Sequence, residues 1–151
     1  MKLYLLRHGK ADWPQWDRPD DERPLTAEGK VQVTAVAAFL ARLEIAPVIF
    51  TSPLPRASQT ADIAGKLLNQ AVRVDPRLGP GFNAARLKQL LKDFSGQSLM
   101  VVGHEPDFTR TIFELTGGLT RLSKSGVALV ELDIRAMKGE LRWLIPPRLA
   151  Q

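Results

Sequence analysis

The apolar positions of this chain switch between two periods. Residues 2–6 are a compact apolar run and predict a strand. Residues 26–43 carry Val33, Val36, Ala37, Leu40 and Leu43 at i, i+3, i+4, i+7 spacing, the stripe of a helix with one buried face. Thr26, after Pro24-Leu25, is placed to cap it. Val48-Ile49-Phe50-Thr51-Ser52 follows Pro47 and predicts a second buried strand. Residues 55–69 return to helical spacing, with Ala57, Thr60, Ala61, Ala64 and Leu68 on one face. Residues 72–75 alternate as a short strand, and residues 84–94 predict a helix with Leu87, Leu90, Leu91 and Phe94 inward. Leu99-Met100-Val101-Val102 is a fourth strand, and a helix is expected from about Pro106 to Leu115, since proline suits a first turn. Residues 127–134 and 141–145 read as an antiparallel pair joined through Met137-Lys138-Gly139.

The order is βαβαβαβα with a terminal hairpin. It predicts an α/β fold: a three-layer α/β/α sandwich on a mostly parallel sheet with an antiparallel edge. No internal repeat, low-complexity tract or linker interrupts the chain, so residues 1–151 are expected to form one domain. Residues 10–24 are the least regular segment, with three prolines, two tryptophans and five acids. A segment of that length between a strand and a helix is a candidate binding loop.

Composition narrows the classes. The chain has no cysteine, which excludes disulfides and cysteine-based zinc or redox sites. No His/Asp/Glu spacing suggests a metal site, and no cofactor is called for. No apolar run approaches the roughly 20 residues that span a bilayer. The N-terminus reads as a strand rather than a signal peptide, so a cytoplasmic protein without a membrane partner is the expectation. The net charge of +5 favours anionic partners. The basic residues are scattered and not interleaved with aromatics, so nucleic-acid binding is not expected.

The chain holds only two histidines, and each closes a predicted strand. His8 ends the first in Leu6-Arg7-His8-Gly9, and His104 ends the fourth in Val102-Gly103-His104. In an open parallel sheet the carboxyl ends of the strands share one edge, where ligands bind. A neutral imidazole is a competent nucleophile toward phosphorus, and a phosphohistidine intermediate divides one hard step into two. The non-bridging oxygens then need fixed positive partners. Arg7 supplies a guanidinium that stays charged. Gly9 would let the backbone approach a phosphate closely. After the second strand, Arg56 falls at a helix start, where the helix terminus adds partial positive charge. His104 is a candidate donor to a phosphoryl oxygen. Ser52 has only a superficial likeness to a hydrolase nucleophile, because no Gly-x-Ser-x-Gly elbow surrounds it.

Arg-His-Gly after the first strand, Ser-Pro-x-x-Arg-Ala-x-x-Thr from Ser52 to Thr60, and Gly103-His104 after the fourth resemble the phosphoglycerate mutase-like histidine phosphatase superfamily. The resemblance implies that His8 is phosphorylated and that Arg7, Arg56 and His104 form the pocket around the phosphoryl group. Arg23-Pro24-Leu25-Thr26-Ala27-Glu28-Gly29, Thr51-Ser52-Pro53-Leu54, Gln59-Thr60-Ala61, Glu105-Pro106-Asp107 and Lys124-Ser125-Gly126-Val127-Ala128 look most like the small SixA-type phosphohistidine phosphatases. That closer likeness implies a metal-independent phosphatase acting on a phosphohistidine-bearing protein, such as a histidine phosphotransfer domain in signal transduction. The alternative is a small-molecule phosphoester phosphatase of the sugar-phosphate type.

One departure has chemical content. Mutase-like members carry a glutamate after an Arg-Leu-x stretch, where it protonates a leaving alkoxide. The matching Arg77-Leu78-Gly79-Pro80-Gly81 has no carboxylate. An alkoxide leaves badly without a proton donor, whereas a protonated imidazole leaves as a neutral ring. Asp12, Asp17, Asp20, Asp21, Glu105 and Asp107 stand as candidate replacements. Arg23 and Lys124 are candidate substrate-binding residues, the alternative being ordinary surface charge or loop-holding ion pairs. Trp13 and Trp16 either rim the site or pack the long loop.

Overall fold

The computed structural model describes residues 1–151. Its elements are β1 (Lys2–Arg7), α1 (Ala27–Arg42), β2 (Val48–Thr51), α2 (Pro55–Leu68), β3 (Val72–Val74), α3 (Ala84–Lys92), β4 (Ser98–Gly103), α4 (Asp107–Thr116), β5 (Val127–Asp133) and β6 (Lys138–Ile145). They form one six-stranded sheet in the order β3-β2-β4-β1-β5-β6. β1, β2, β3 and β4 run parallel, and β5 and β6 complete an antiparallel edge. This is the α/β architecture the hydrophobic pattern predicts.

The central strands are apolar along their middles on both faces because both faces are covered. In β1, Leu3 and Leu5 join one core with Leu87 and Leu90 of α3 and Phe108 and Ile112 of α4. The intervening Tyr4 and Leu6 join the other core, with Val36 and Leu40 of α1 and Ala57 and Ala61 of α2. β4 splits the same way, Leu99 and Val101 against Met100 and Val102. All of these residues are almost fully buried. Full burial of each large aliphatic side chain contributes about 1.5–3 kcal/mol.

This layering fixes the site's position. β1 and β4 are neighbours, yet the chain leaves β1 toward α1 on one face and leaves β4 toward α4 on the other. Adjacent strands whose connections depart to opposite faces open a crevice at their carboxyl ends. Arg7 is paired with Gly103 across that boundary, and the His8 N–H donates to the Gly103 carbonyl at 3.0 Å. His8 and His104 are thereby held at one level.

Local signals set the helix starts. The Thr26 hydroxyl accepts the Gly29 N–H at 3.0 Å, capping α1 as the sequence predicts. Pro55 opens α2, and Asn69 closes it in the left-handed conformation at φ 55°. Two bounds differ from the sequence expectation by more than one residue. α3 stops at Lys92, so Phe94 packs against the core from beyond the helix. β6 begins at Lys138, because pairing of Asp133 with Lys138 and Leu132 with Gly139 makes a strand of residues with no apolar pattern.

Candidate active site

Each central strand delivers one polar side chain to the crevice edge. His8 follows β1, Ser52 follows β2 and His104 follows β4; all are buried, with relative exposures of 9%, 0% and 4%. The His8 and His104 ring centroids are 5.3 Å apart. Arg7 ends β1 and Arg56 lies in the first turn of α2, itself buried. The four residues singled out for phosphoryl chemistry therefore converge.

The hydrogen bonds of His8 leave one nitrogen free. Its Nδ1 lies 2.7 Å from the Gly9 carbonyl oxygen. A carbonyl only accepts, so Nδ1 carries the proton and Nε2 presents a lone pair. Burial pushes the His8 pKa down to about 3; the Gly9 contact opposes this, while His104, Arg56 and Arg7 add to it. His104 is pushed down to about 4, again mainly by burial, with Arg56 the next cause. Both rings are neutral at physiological pH.

The surrounding donors are unevenly used. Arg7 Nη1 donates to the Leu122 carbonyl at 3.0 Å, and Arg56 Nη1 to the Asp20 carbonyl at 3.2 Å. Arg7 Nε, Arg56 Nε and His104 Nδ1 are buried with no protein partner. Unpaired buried donors are costly, and two guanidinium N–H groups beside one free imidazole nitrogen suit the oxygens of a phosphoryl group. Burial lowers the pKa of both guanidiniums from the usual value; they remain cations.

Gly9 has a different use from the one its sequence context suggests. Its N–H donates to Thr60 Oγ1 at 3.0 Å, and a Cβ there would lie 2.6 Å from Val33 Cγ2. The residue is small so that the strand end can pack against α1, and its N–H is already occupied. Thr60 in turn donates to the Arg56 carbonyl at 2.7 Å, tying the His8 segment to the first turn of α2. Thr60 and Ser52 are the site residues whose roles the sequence reading missed; their place beside Arg56 and at a strand end was the available signal.

Residues 10–24 are fastened over one side of the site. Trp13 Nε1 donates to the Pro24 carbonyl and Trp16 Nε1 to the Pro19 carbonyl, each at 2.9 Å. Both indoles thus brace the loop itself. Arg23 donates to the Ala11 carbonyl at 2.8 Å and pairs with Asp20 and Asp12. Lys124 pairs with Asp12. Arg23 and Lys124 are therefore loop-holding ion pairs beside the site. Next to them a surface cavity of about 570 Å³ is lined by Arg7, Lys10, Arg121 and Lys124 among others. A larger one of about 650 Å³ lies at the opposite sheet edge, around Met1, Lys2 and Ser98. The unpartnered nitrogens of Arg7, Arg56 and His104, rather than cavity size, make the first edge the candidate site.

Four of the six candidate acids are engaged in contacts, while Asp17 and Asp21 have no hydrogen bond or ion pair. Glu105 accepts from the Thr109 N–H at 3.0 Å and from its hydroxyl. Asp12 is held by Lys124 and Arg23, and Asp20 by Arg23 and Arg56. Asp107 Oδ2 accepts the Gly81 N–H at 2.8 Å, which places this carboxylate against the segment that lacks an acid of its own. Arg77, in that segment, is bound to Asp75 and Asp93. No group of three or more potential metal-ligating side chains gathers anywhere in the fold, and no helix is long and apolar enough to cross a membrane.

Comparison with known proteins identifies the family and the fold. The family model of the histidine phosphatase superfamily (branch 1) matches residues 3–79. An uncharacterized protein of Picosynechococcus is 34% identical over 140 residues, covering 84% of this chain and 82% of that protein. A probable phosphoglycerate mutase GpmB of Escherichia fergusonii is 35% identical over 80 residues; the match covers 52% of this chain and only 37% of the mutase. The protein histidine phosphatase SixA, solved complexed with tungstate, superposes with a TM-score of 0.89 at 26% identity, over 100% of both chains. On this evidence the chain belongs to the histidine phosphatase superfamily, with a fold of the SixA type.

Proposed function

We propose that residues 1–151 act as one catalytic domain that hydrolyses protein phosphohistidine through a phosphoenzyme on His8. The observation that carries this is the single free imidazole nitrogen of a neutral His8 beside the unpaired guanidinium Nε–H groups of Arg7 and Arg56, with His104 Nδ1 also unpartnered. His8 Nε2 attacks phosphorus, and the bond from phosphorus to the substrate's imidazole breaks. The substrate ring, protonated on its other nitrogen, leaves as neutral imidazole. Arg7, Arg56 and His104 hold the transferring oxygens, where charge stabilisation acts most strongly in a water-poor site. Water then cleaves the His8–phosphorus bond, releasing inorganic phosphate and restoring the neutral ring. No step calls for a metal or cofactor.

The substrate class follows from the acid. Glu105, Asp12 and Asp20 are engaged in the fold's own contacts, and the carboxylates left near the pocket are Asp107 and Asp21; neither stands in the Arg77–Gly81 segment, which favours an imidazole over an alkoxide leaving group. The likeness to SixA supports the same reading. A histidine phosphotransfer domain is the corresponding partner, and a cytoplasmic signalling relay the corresponding setting. The second reading is a small-molecule phosphoester phosphatase. It is favoured by the position of Asp107 beside Gly81 and by the partial match to GpmB. Rates for a phosphohistidine-bearing phosphotransfer domain and a panel of phosphoesters, measured side by side, separate the two. Preference for the phosphoprotein supports the first reading. Preference for esters overturns it and points to Asp107 or Asp21 as proton donor.

A further inference from the structure

We infer that Ser52 fixes the tautomer of His104, making it a hydrogen-bond donor in its neutral form and the complement of His8. Ser52 is fully buried. Its backbone N–H donates to the Val102 carbonyl at 3.0 Å and its carbonyl accepts the Thr51 hydroxyl at 3.0 Å. Its Oγ has two partners: the Leu54 N–H, which donates at 3.2 Å, and His104 Nε2 at 2.7 Å.

Two proton placements satisfy that short contact, and they differ in what they leave unpaired. If the Ser52 hydroxyl donates to Nε2, the His104 proton sits on Nδ1, and only that N–H lacks a protein partner. If Nε2 donates to Ser52, the buried hydroxyl proton has no acceptor and Nδ1 becomes a bare lone pair, also buried and unpartnered. A buried unsatisfied donor is disfavoured by roughly 1–3 kcal/mol. The first placement leaves one orphan and the second leaves two. The first also turns the orphan into what an anion needs, because an imidazole lone pair repels phosphoryl oxygens and an N–H attracts them.

The two rings then share one tautomer for opposite purposes. In His8 an accepting carbonyl holds the Nδ1 proton and exposes an Nε2 lone pair. In His104 a donating hydroxyl occupies Nε2 and exposes an Nδ1–H. Ser52 is thus a positioning residue acting through His104. The catalytic use of this arrangement rests on the His8 pocket being the reaction site.

The test is nitrogen NMR on protein labelled in its histidine rings, which gives only two spin systems, distinguished by a His8→Gln sample. At neutral pH the expected result is a protonated-type Nδ1 and an unprotonated-type Nε2 in both rings. In Ser52→Ala the His104 proton moves toward Nε2, and kcat falls on the order of tenfold. Ser52→Thr, which keeps a hydroxyl, retains the wild-type tautomer. A wild-type His104 protonated on Nε2, or an unchanged His104 tautomer in Ser52→Ala, overturns the inference. A wild-type ring protonated on Nε2 overturns the inference whether or not the variants fold. Because it does not depend on turnover, an Nε2-protonated His104 in an active phosphatase sinks this inference alone. An Nδ1-protonated ring in a protein without phosphatase activity sinks the functional reading alone.

Discussion

The His8 and His104 rings face each other at 5.3 Å with planes tilted by 52°, and neither carries charge at neutral pH. Two neutral imidazoles beside two guanidiniums make a site that is positive without titrating near pH 7. The proposed nucleophile, His8, therefore stays unprotonated across the physiological range, beside two fixed positive charges.

Those same depressed values make the fold acid-sensitive. In the unfolded chain each histidine binds a proton near its ordinary pKa of about 6.5. In the folded protein it does so only near 3 for His8 and 4 for His104. Between these limits the unfolded state holds more protons, so stability is fully present above about pH 6.5 and is lost as pH falls through the folded values. Each histidine contributes a slope of up to about 1.4 kcal/mol per pH unit. Denaturant unfolding at several pH values should show this decline, with roughly half the slope removed in His8→Gln. A stability independent of pH between 4.5 and 7 contradicts the burial of neutral rings.

The guanidiniums are expected to act on the transition state. Arg7→Ala and Arg56→Ala should each lower kcat/KM on the order of 10²-fold or more, as loss of a fixed charge partner does. Steady-state kinetics on folded variants check this. A variant with wild-type kinetics removes that arginine from the pocket.

Asp107 separates the two substrate readings. Asp107→Asn keeps a group able to accept the Gly81 N–H while removing the proton an alkoxide requires. Phosphohistidine hydrolysis should stay within a few-fold of wild type. Any residual phosphoester hydrolysis should fall on the order of 10²-fold. A comparable loss on the phosphoprotein places an acid in its mechanism as well.

The loop is predicted to be held sterically rather than by charge. A Cβ on Gly29 would lie 2.3 Å from the Lys10 carbonyl oxygen, which is backbone and cannot swing away. Gly29→Ala should destabilise the protein by about 1–3 kcal/mol. Asp12→Asn, which weakens the pairs with Lys124 and Arg23 on the loop surface, should change stability by less than about 1 kcal/mol. Thermal unfolding of the two variants checks the contrast, and an equal loss in both contradicts it.

Much of the fold was legible because burial on both faces gives β1, β2 and β4 uninterrupted apolar runs, and one-sided burial gives α1 and α2 their stripes. The four convergent residues were legible because strand ends share an edge. What escaped depends on partners remote in sequence. Gly9 is held by Thr60, 51 residues away, and His104 meets Ser52, 52 residues away. Neither contact leaves a periodic trace. The start of β6 escaped because Lys138, Gly139 and Glu140 are defined by pairing to β5 at an exposed edge, not by buried apolar side chains. Arg23 and Lys124 could not be separated from surface charge until Asp12 was seen between them.

The account's central claim is that His8 is the nucleophile, and trapping tests it most directly. Wild-type protein is mixed with a radiolabelled phosphohistidine phosphotransfer domain, quenched within one turnover and separated by size. The prediction is label on the enzyme that is stable in alkali and labile in acid, maps to His8, and is absent from His8→Ala, which also lacks turnover. Appreciable turnover by His8→Ala, or label on another residue, contradicts the assignment.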